Sequence, residues 1–310
     1  MTNRGVSWTM ANRGAASGVA GLVDSSVIEL RIDPRDRSVG SSTVRRLLPF
    51  RRRRMVGPFT FADLIGPEEL DDATSPNIDA HPHIGLATVT YLLDGRMVHR
   101  DSTGAVATIE PGDVNWMTAG SGVTHTERAH PDDAGVRRPL HGVQTWVALP
   151  DGAEDGAPGF EHAGVASLPV GTIGRSQIRV AVGTGWGMAS PVAGSSPLIL
   201  AEIRLDADAP VPISTTHAEI AVLAVEGDLG VDHERIDPGQ LAVLDASRPA
   251  TLRGSGTAIV LGGDPVGRRH IFWNFVHSDE DRIEQAKADW VDQRFPIVPG
   301  DHDPWVPLPG

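Results

Sequence analysis

Four side chains in this sequence have the types and the spacing of a metal site. His81 and His83 are two residues apart, and so are His125 and Glu127. In an extended strand, residues i and i+2 project to the same face, so each pair can aim both side chains into one interior. Two such pairs on neighbouring strands supply three imidazoles and one carboxylate. That set suits a divalent transition ion: iron, manganese, nickel, cobalt, copper or zinc. One carboxylate leaves such an ion with net positive charge, so it keeps Lewis acidity. An ion that prefers six ligands would also keep positions for water, substrate or dioxygen. A single His-x-His pair is weak evidence, because histidine is often only a hydrogen-bonded surface residue. The His-x-Glu pair behind the glycine-rich turn Ala119-Gly120-Ser121-Gly122 strengthens it. Pro82 lacks a backbone donor, which assigns the first pair to a strand end or a sheet edge.

The other histidines read differently. His99 and Asp101 share the same two-residue spacing and predict a salt-bridged pair rather than catalytic groups. His130 and His141 read as loop residues. His217 and Glu219 occupy roughly the place of the first ligand pair in a second block, but Leu241 to Ala246 is apolar where a second His-x-Glu would be needed. A second metal site is not expected.

The elements that must position these residues are short strands. The chain holds 35 Gly and 24 Pro, scattered without a fixed period, which implies many turns. Residues 26–32, 44–50 and 59–64 are strand candidates, and 86–93 reads LATVTYLL before the Asp94-Gly95 turn. Further strands follow at 105–109, 114–117, 123–127 and 142–148, at the spacing of a sandwich or small barrel. A polar connector at 150–159 precedes strands at 178–182 and 198–205. The stretch 220–227 ends in Glu226-Gly227, and Pro238-Gly239-Gln240 follows it, faintly echoing the first block. Near the end, Ser278 and Asp281 resemble a capping box. Ile283, Ala286 and Trp290 then recur at helical spacing. The Pro-rich tail beyond Phe295 is read as extended, strapped across a barrel by Trp305 and Leu308. The expected organisation is a flexible extension at 1–24, an N-terminal barrel at 25–150 that carries the metal, and a C-terminal barrel with helix and tail at 151–310.

Composition narrows the function. The formal net charge is -13, which argues against a general nucleic-acid binder, since such binding needs Lys and Arg to neutralise phosphates. The run Arg51 to Arg54 reads as a solvated basic loop, with a small anion or partner patch as the sharper alternative. With no cysteine, disulfides and thiolate ligands are excluded. Met1 to Ala20 lacks the apolar core of a signal peptide, and no stretch approaches a membrane span. A cytoplasmic, membrane-free protein is expected.

Longer motifs resemble one family. His81-Pro82-His83-Ile84-Gly85, then TVTYLLDG, then PGDVNWMTAGSGVTHTE are similar to the signature of the pirins. Val56-Gly57-Pro58-Phe59, Trp273-Asn274-Phe275, DRIEQAKADW and RFPIVPGD resemble the same family independently. The resemblance runs from about residue 26 to the end. It implies an all-β fold of two tandem cupin barrels, jelly-roll-like, with a short C-terminal helix and an extended tail; a monomer is expected. It implies metal in the N-terminal barrel alone, held by His81, His83, His125 and Glu127, with Fe(II) the first choice. Where many pirins read His-Arg-Gly-Phe-Glu, this chain has His83-Ile84-Gly85-Leu86-Ala87, which alters the wall beside the ligands. Several pirins open quercetin with dioxygen and release carbon monoxide. By that resemblance a flavonol-like small molecule is the expected substrate, and Glu127 the base that takes its hydroxyl proton. Phe59, Met97, Trp116 and Met117 are candidate pocket walls. Other pirins resemble redox-responsive regulators that bind a transcription factor or metabolic enzyme, so a protein partner is the alternative.

Overall fold

The computed structural model describes residues 26–39, 42–74, 77–213 and 216–309; the extension expected at 1–24 lies outside them. Antiparallel strands dominate, and among the described residues there is one α-helix, Glu280–Val291. This is the all-β, double-barrel architecture that the motifs imply.

The first barrel combines two sheets. A seven-stranded sheet runs in the order Gly159–Ala163, Val114–Thr118, Leu86–Asp94, Arg138–Ala148, Phe59–Leu70, Ser42–Leu48, Arg35–Val39. A four-stranded sheet runs Ile78–His83, Val123–Ala129, Met97–Asp101, Val106–Ile109. The second barrel is one ten-stranded sheet, whose central strands are Glu219–Val231, Ala250–Gly263 and Leu198–Leu205. Strand pairing crosses the division expected at 150/151. Ile28–Ile32 pairs with Leu241–Leu244 of the second barrel, and Gly159–Ala163 pairs with Val114–Thr118 of the first. Each half therefore lends a strand to the other's sheet.

Strand alternation separates the interiors. In Leu86–Asp94, Ala87, Val89 and Tyr91 face the large apolar core shared by the two barrels. Thr88 and Thr90 are buried on the opposite side, toward the first barrel's interior. In Leu198–Leu205, Leu198 and Leu200 join the shared core, while Ile199, Ala201 and Ile203 fill the second barrel. That interior is closed by aliphatic side chains such as Ile220, Val222 and Val260. A buried polar pin crosses the shared core: the Tyr91 hydroxyl donates to Glu202 at 2.6 Å, and Arg179 pairs with the same carboxylate at 2.7 Å.

The helix begins one residue later than the sequence motif suggests. Asp279 is its N-cap, accepting from the Asp281 N–H at 3.0 Å. Ser278 is held elsewhere, because its N–H and hydroxyl both donate to Glu154, at 2.7 and 2.5 Å. The buried helix face, Ile283, Ala286 and Trp290, packs on Phe275, Phe295 and Ile84. Ile84 directly follows His83, so the helix anchors the turn that carries the first histidine pair. The tail lies as a strap: Trp305 and Leu308 pack on this cluster, Trp290 Nε1 donates to the Val306 carbonyl at 2.9 Å, and Val306 N–H donates to the Ala80 carbonyl at 2.9 Å.

Gly85 closes the same turn with φ +65°. Its N–H donates to Gly120 O at 2.9 Å and its carbonyl accepts from Leu149 N–H at 3.0 Å. A Cβ there would meet the Val276 carbonyl oxygen at 1.8 Å. Gly85→Ala is therefore expected to lower unfolding free energy by more than ~1 kcal/mol, read from the denaturant midpoint at unchanged slope. Trp290→Ala removes the largest side chain of the helix cluster, and a loss of about 3–5 kcal/mol is expected by the same measurement.

Candidate metal centre

The histidines come together through strand register. Val123–Ala129 pairs with Ile78–His83 on one side, putting His125 opposite His81, and with Met97–Asp101 on the other, putting His125 opposite Asp101 and Glu127 opposite His99. Directly opposed residues share a face, so His81, His125, Glu127, His99 and Asp101 all turn inward. The register slips between His125 and Glu127 on the Ile78–His83 side, a bulge of the kind that re-aims side chains at sites. Ile78–His83 is an edge strand of its sheet, as Pro82 requires.

His81, His83 and His125 bring one ring nitrogen each within 4.8 Å of one another, all three residues being buried. Groups behind each ring decide which nitrogen faces the centre. His81 Nδ1 lies 2.8 Å from the Asp79 carbonyl, which can only accept, so His81 Nδ1 carries the proton and Nε2 is free. His83 Nε2 and His125 Nε2 face each other at 3.1 Å. The backbone of Asn274 lies on the His83 ring's side, without closing a standard bond to its buried Nδ1. His125 Nδ1 meets His99 Nδ1 at 3.3 Å, and His99 Nε2 meets Asp101 Oδ2 at 3.0 Å. The expected His99–Asp101 pair is thus present, directly behind His125.

These residues fit a divalent cation. Two nitrogens bound to one ion at ordinary bond lengths lie about 3.0–3.4 Å apart, and the 3.1 Å spacing of His83 and His125 falls in that range. Two unprotonated nitrogens that close repel unless a proton or cation lies between them. Burial also strips the rings of competing protons. It pushes His81 down to about 4, against a smaller opposing effect of the Asp79 carbonyl. His83 and His125 fall well below the ordinary histidine value, through burial and then through the neighbouring histidines. All three are neutral ligands at neutral pH.

Glu127 lines the same cavity, but its carboxylate stands outside the cluster of three ring nitrogens. Oε1 accepts from Gln144 Nε2 at 2.6 Å. Burial pushes its carboxyl up to about 7, partly opposed by that hydrogen bond.

The cavity in front of the histidines measures about 600 Å³ and is walled by Val44, Phe61, Met97, Leu140, Trp146 and Trp273. Of the expected apolar walls, only Met97 lines it. Phe59 and Trp116 point into the shared core, and Met117 packs with Ala119, Val123 and Phe160. The cause is a register slip: Trp146 opposes Phe61 and Val147 opposes Phe59, so Thr60 is an extra residue that turns Phe59 to the opposite face. Phe61 instead stacks on Trp146 at 4.0 Å, and the Arg46 guanidinium lies 4.3 Å from the Phe61 ring centroid while gripping Asp63 at 2.9 Å. No short motif marks Phe61, Trp146, Gln144 or Arg46; the clue available in sequence was Gln144 and Trp146 at two-residue spacing on one strand.

The remaining residues fall away from the centre. His130 lies in a loop, whereas His141, expected in one, is buried within Arg138–Ala148. Glu219 accepts from the Gly57 N–H at 2.7 Å and pairs with Arg53 at 3.3 Å. Arg53 of the basic run also pairs with Glu29 at 3.2 Å. Among the described residues no helix is long and apolar enough to cross a membrane.

Comparison with known proteins agrees with this architecture. Residues 41–147 match the pirin family and residues 200–296 match the pirin C-terminal cupin domain. A pirin-like protein of Caulobacter vibrioides is 41% identical over 291 residues, covering 91% of this chain and 100% of its own. A Pseudomonas aeruginosa protein named "Putative quercetin 2,3-dioxygenase" is 37% identical over 263 residues, covering 83% of this chain and 82% of its own. The crystal structure of a quercetin 2,3-dioxygenase from Acinetobacter baumannii superposes with a TM-score of 0.84 at 30% identity, covering 91% of this chain and 95% of that one. Two family domains in order, around a first barrel whose histidines converge, make this chain a member of the pirin family.

Proposed function

We propose that this chain is a metal-dependent dioxygenase acting on a flat, flavonol-like substrate of the quercetin type. The observation that carries the reading is the convergence of three neutral imidazole nitrogens on one point in an aromatic-walled cavity of about 600 Å³. The names of the Pseudomonas and Acinetobacter relatives support the substrate class. In this reading His81, His83 and His125 hold the ion, with Fe(II) the first choice, and Glu127 is the fourth ligand when it turns from Gln144. A bound divalent ion supplies Lewis acidity toward a substrate hydroxyl and a redox centre for dioxygen.

The chain's own residues do the rest. Gln144 occupies Glu127 Oε1, leaving Oε2 to take the proton of the flavonol 3-hydroxyl. A carboxyl at about 7 is matched to that task near neutral pH. The Phe61–Trp146 stack offers a flat wall for the substrate's rings. Enclosure of the histidines keeps bulk water from the reacting atoms.

Protein loaded with Fe(II), Mn(II), Ni(II) or Co(II) is expected to consume quercetin and dioxygen. Glu127→Gln should lower kcat by about 10²–10⁴-fold, and His81→Ala should remove turnover together with bound metal. Stoichiometric metal without turnover in every loading would replace the enzyme with a metal-binding regulator.

Metal affinity should also depend on pH through Glu127. The folded-state value is raised, so below about 7 the carboxyl is protonated and must release its proton to ligate. Affinity is therefore expected to rise about tenfold per unit as pH increases from 5.5 to 7, then level off. The histidines add no slope there, because burial pushes His81 down to about 4 and holds His83 and His125 well below the ordinary histidine value. Calorimetric titration in buffers of differing ionisation enthalpy should count close to one proton released per ion at pH 6. Glu127→Gln should release none.

A further inference from the structure

His99 and Asp101 take no part in lining the cavity, yet both are buried, with side chains 4% and 0% exposed. They stand behind His125 in a chain of contacts: Asp101 Oδ2 to His99 Nε2 at 3.0 Å, His99 Nδ1 to His125 Nδ1 at 3.3 Å, His125 Nε2 to His83 Nε2 at 3.1 Å. We infer that Asp101 and His99 are positioning residues that set which nitrogen of His125 carries its proton, and so whether His125 can bind metal.

The logic follows donor and acceptor inventories. A carboxylate only accepts, so His99 Nε2 donates to Asp101. With one ring proton placed on Nε2, His99 offers Nδ1 as an acceptor, which puts the proton of His125 on Nδ1. The His125 Nε2 lone pair is left facing the meeting point. His99 and His125 are each held in one tautomer by the group behind them, the arrangement by which outer groups orient metal-binding imidazoles. The His99 ring is also clamped, stacked on Phe160 with centroids 4.6 Å apart.

The other half of Asp101 makes the chain switchable by one atom. Oδ1 accepts from Thr103 N at 2.8 Å, Thr103 Oγ1 at 2.6 Å and Ala105 N at 3.3 Å. In Asp101→Asn those three donors would retain the amide oxygen at the Oδ1 position and direct the NH₂ at His99. His99 Nε2 must then accept, its proton moves to Nδ1, and it donates to His125 Nδ1. The His125 proton is forced onto Nε2, where it blocks the lone pair. The turn is unchanged, yet the ligand is inverted.

This inference rests on the metal reading of the three histidines, but the position of the His125 proton can be read without metal. In metal-free wild-type protein, two-bond ¹H–¹⁵N spectra of the rings should put the His125 proton on Nδ1, and in Asp101→Asn on Nε2. Co(II) or Ni(II) affinity should fall about 10–100-fold in Asp101→Asn, with the unfolding midpoint of the metal-free protein little changed. His99→Phe keeps the stack on Phe160 but cuts the chain. In that background Asp101→Asn should add less than about twofold, because nothing remains to carry its effect. The same loss from Asp101→Asn with and without His99, or a His125 proton that stays on Nδ1 in Asp101→Asn, would overturn the inference. Wild-type protein that binds neither ion would sink the metal reading, while the proton positions would still decide the chain.

Discussion

Three buried imidazoles, each with one ring nitrogen turned toward a common point, form the constraint on which the first barrel depends. Burial makes protonation costly, so the rings stay neutral. A neutral ring is held in one tautomer where its outward nitrogen has a partner, which two of the three have. The Asp79 carbonyl serves His81, and His99 with Asp101 serves His125. The partner of His125 comes from a neighbouring strand in fixed register, and a slip of one residue would turn every inward side chain outward. The pairing of Val123–Ala129 with both Ile78–His83 and Met97–Asp101 is thus the chemistry's first requirement.

The two barrels solve the interior problem in opposite ways. Both contribute one face of their strands to the shared apolar core. The second barrel then fills its own interior with Ile199, Ile203, Val222, Val260 and similar residues, and is packed shut. In the first barrel the corresponding inward positions are Thr88, Thr90, Gln144 and the histidines, which leave a cavity because they cannot close on one another as aliphatic chains do. The polar interior lacks the stabilisation that a filled core provides. The second barrel, the buried Tyr91–Glu202–Arg179 pin and the shared core offset that lack from outside.

Much of this was legible because it is local. Two-residue spacing announced the inward pairs, Pro82 announced an edge strand, and Ile283, Ala286 and Trp290 announced a helix face. The motif resemblance supplied what spacing could not, that the two pairs lie side by side. The illegible part came from non-local register. Phe59 and Phe61 have the same spacing as two inward residues, but the extra Thr60 opposite the Trp146–Val147 step reverses one of them. Ser278 satisfies the capping pattern, yet a buried Glu154 from a distant segment claims it and passes the cap to Asp279. Likewise, nothing in Gly159–Ala163 or Ile28–Ile32 says that each completes the opposite barrel's sheet.

The edge position of Ile78–His83 is the weak point of such a site, since an edge strand frays first and Pro82 removes one of its donors. The far end of the chain makes it good. Trp305 bridges Ala80 in parallel, and Val306 N–H donates to the Ala80 carbonyl at 2.9 Å, giving the open edge a partner beside His81. Asp301 reaches the next strand, accepting from Thr126 Oγ1 at 2.8 Å and pairing with Arg128 at 2.8 Å, so it grips the stretch between His125 and Glu127 from outside. Arg128 in turn pairs with Asp79 at 2.7 Å, and the Asp79 carbonyl orients His81. The tail therefore connects both candidate ligand strands through charge-assisted bonds only part-buried in the surface. A few residues at the C-terminal end thus bear directly on the geometry of the centre, while the larger apolar core beneath it holds the barrels together.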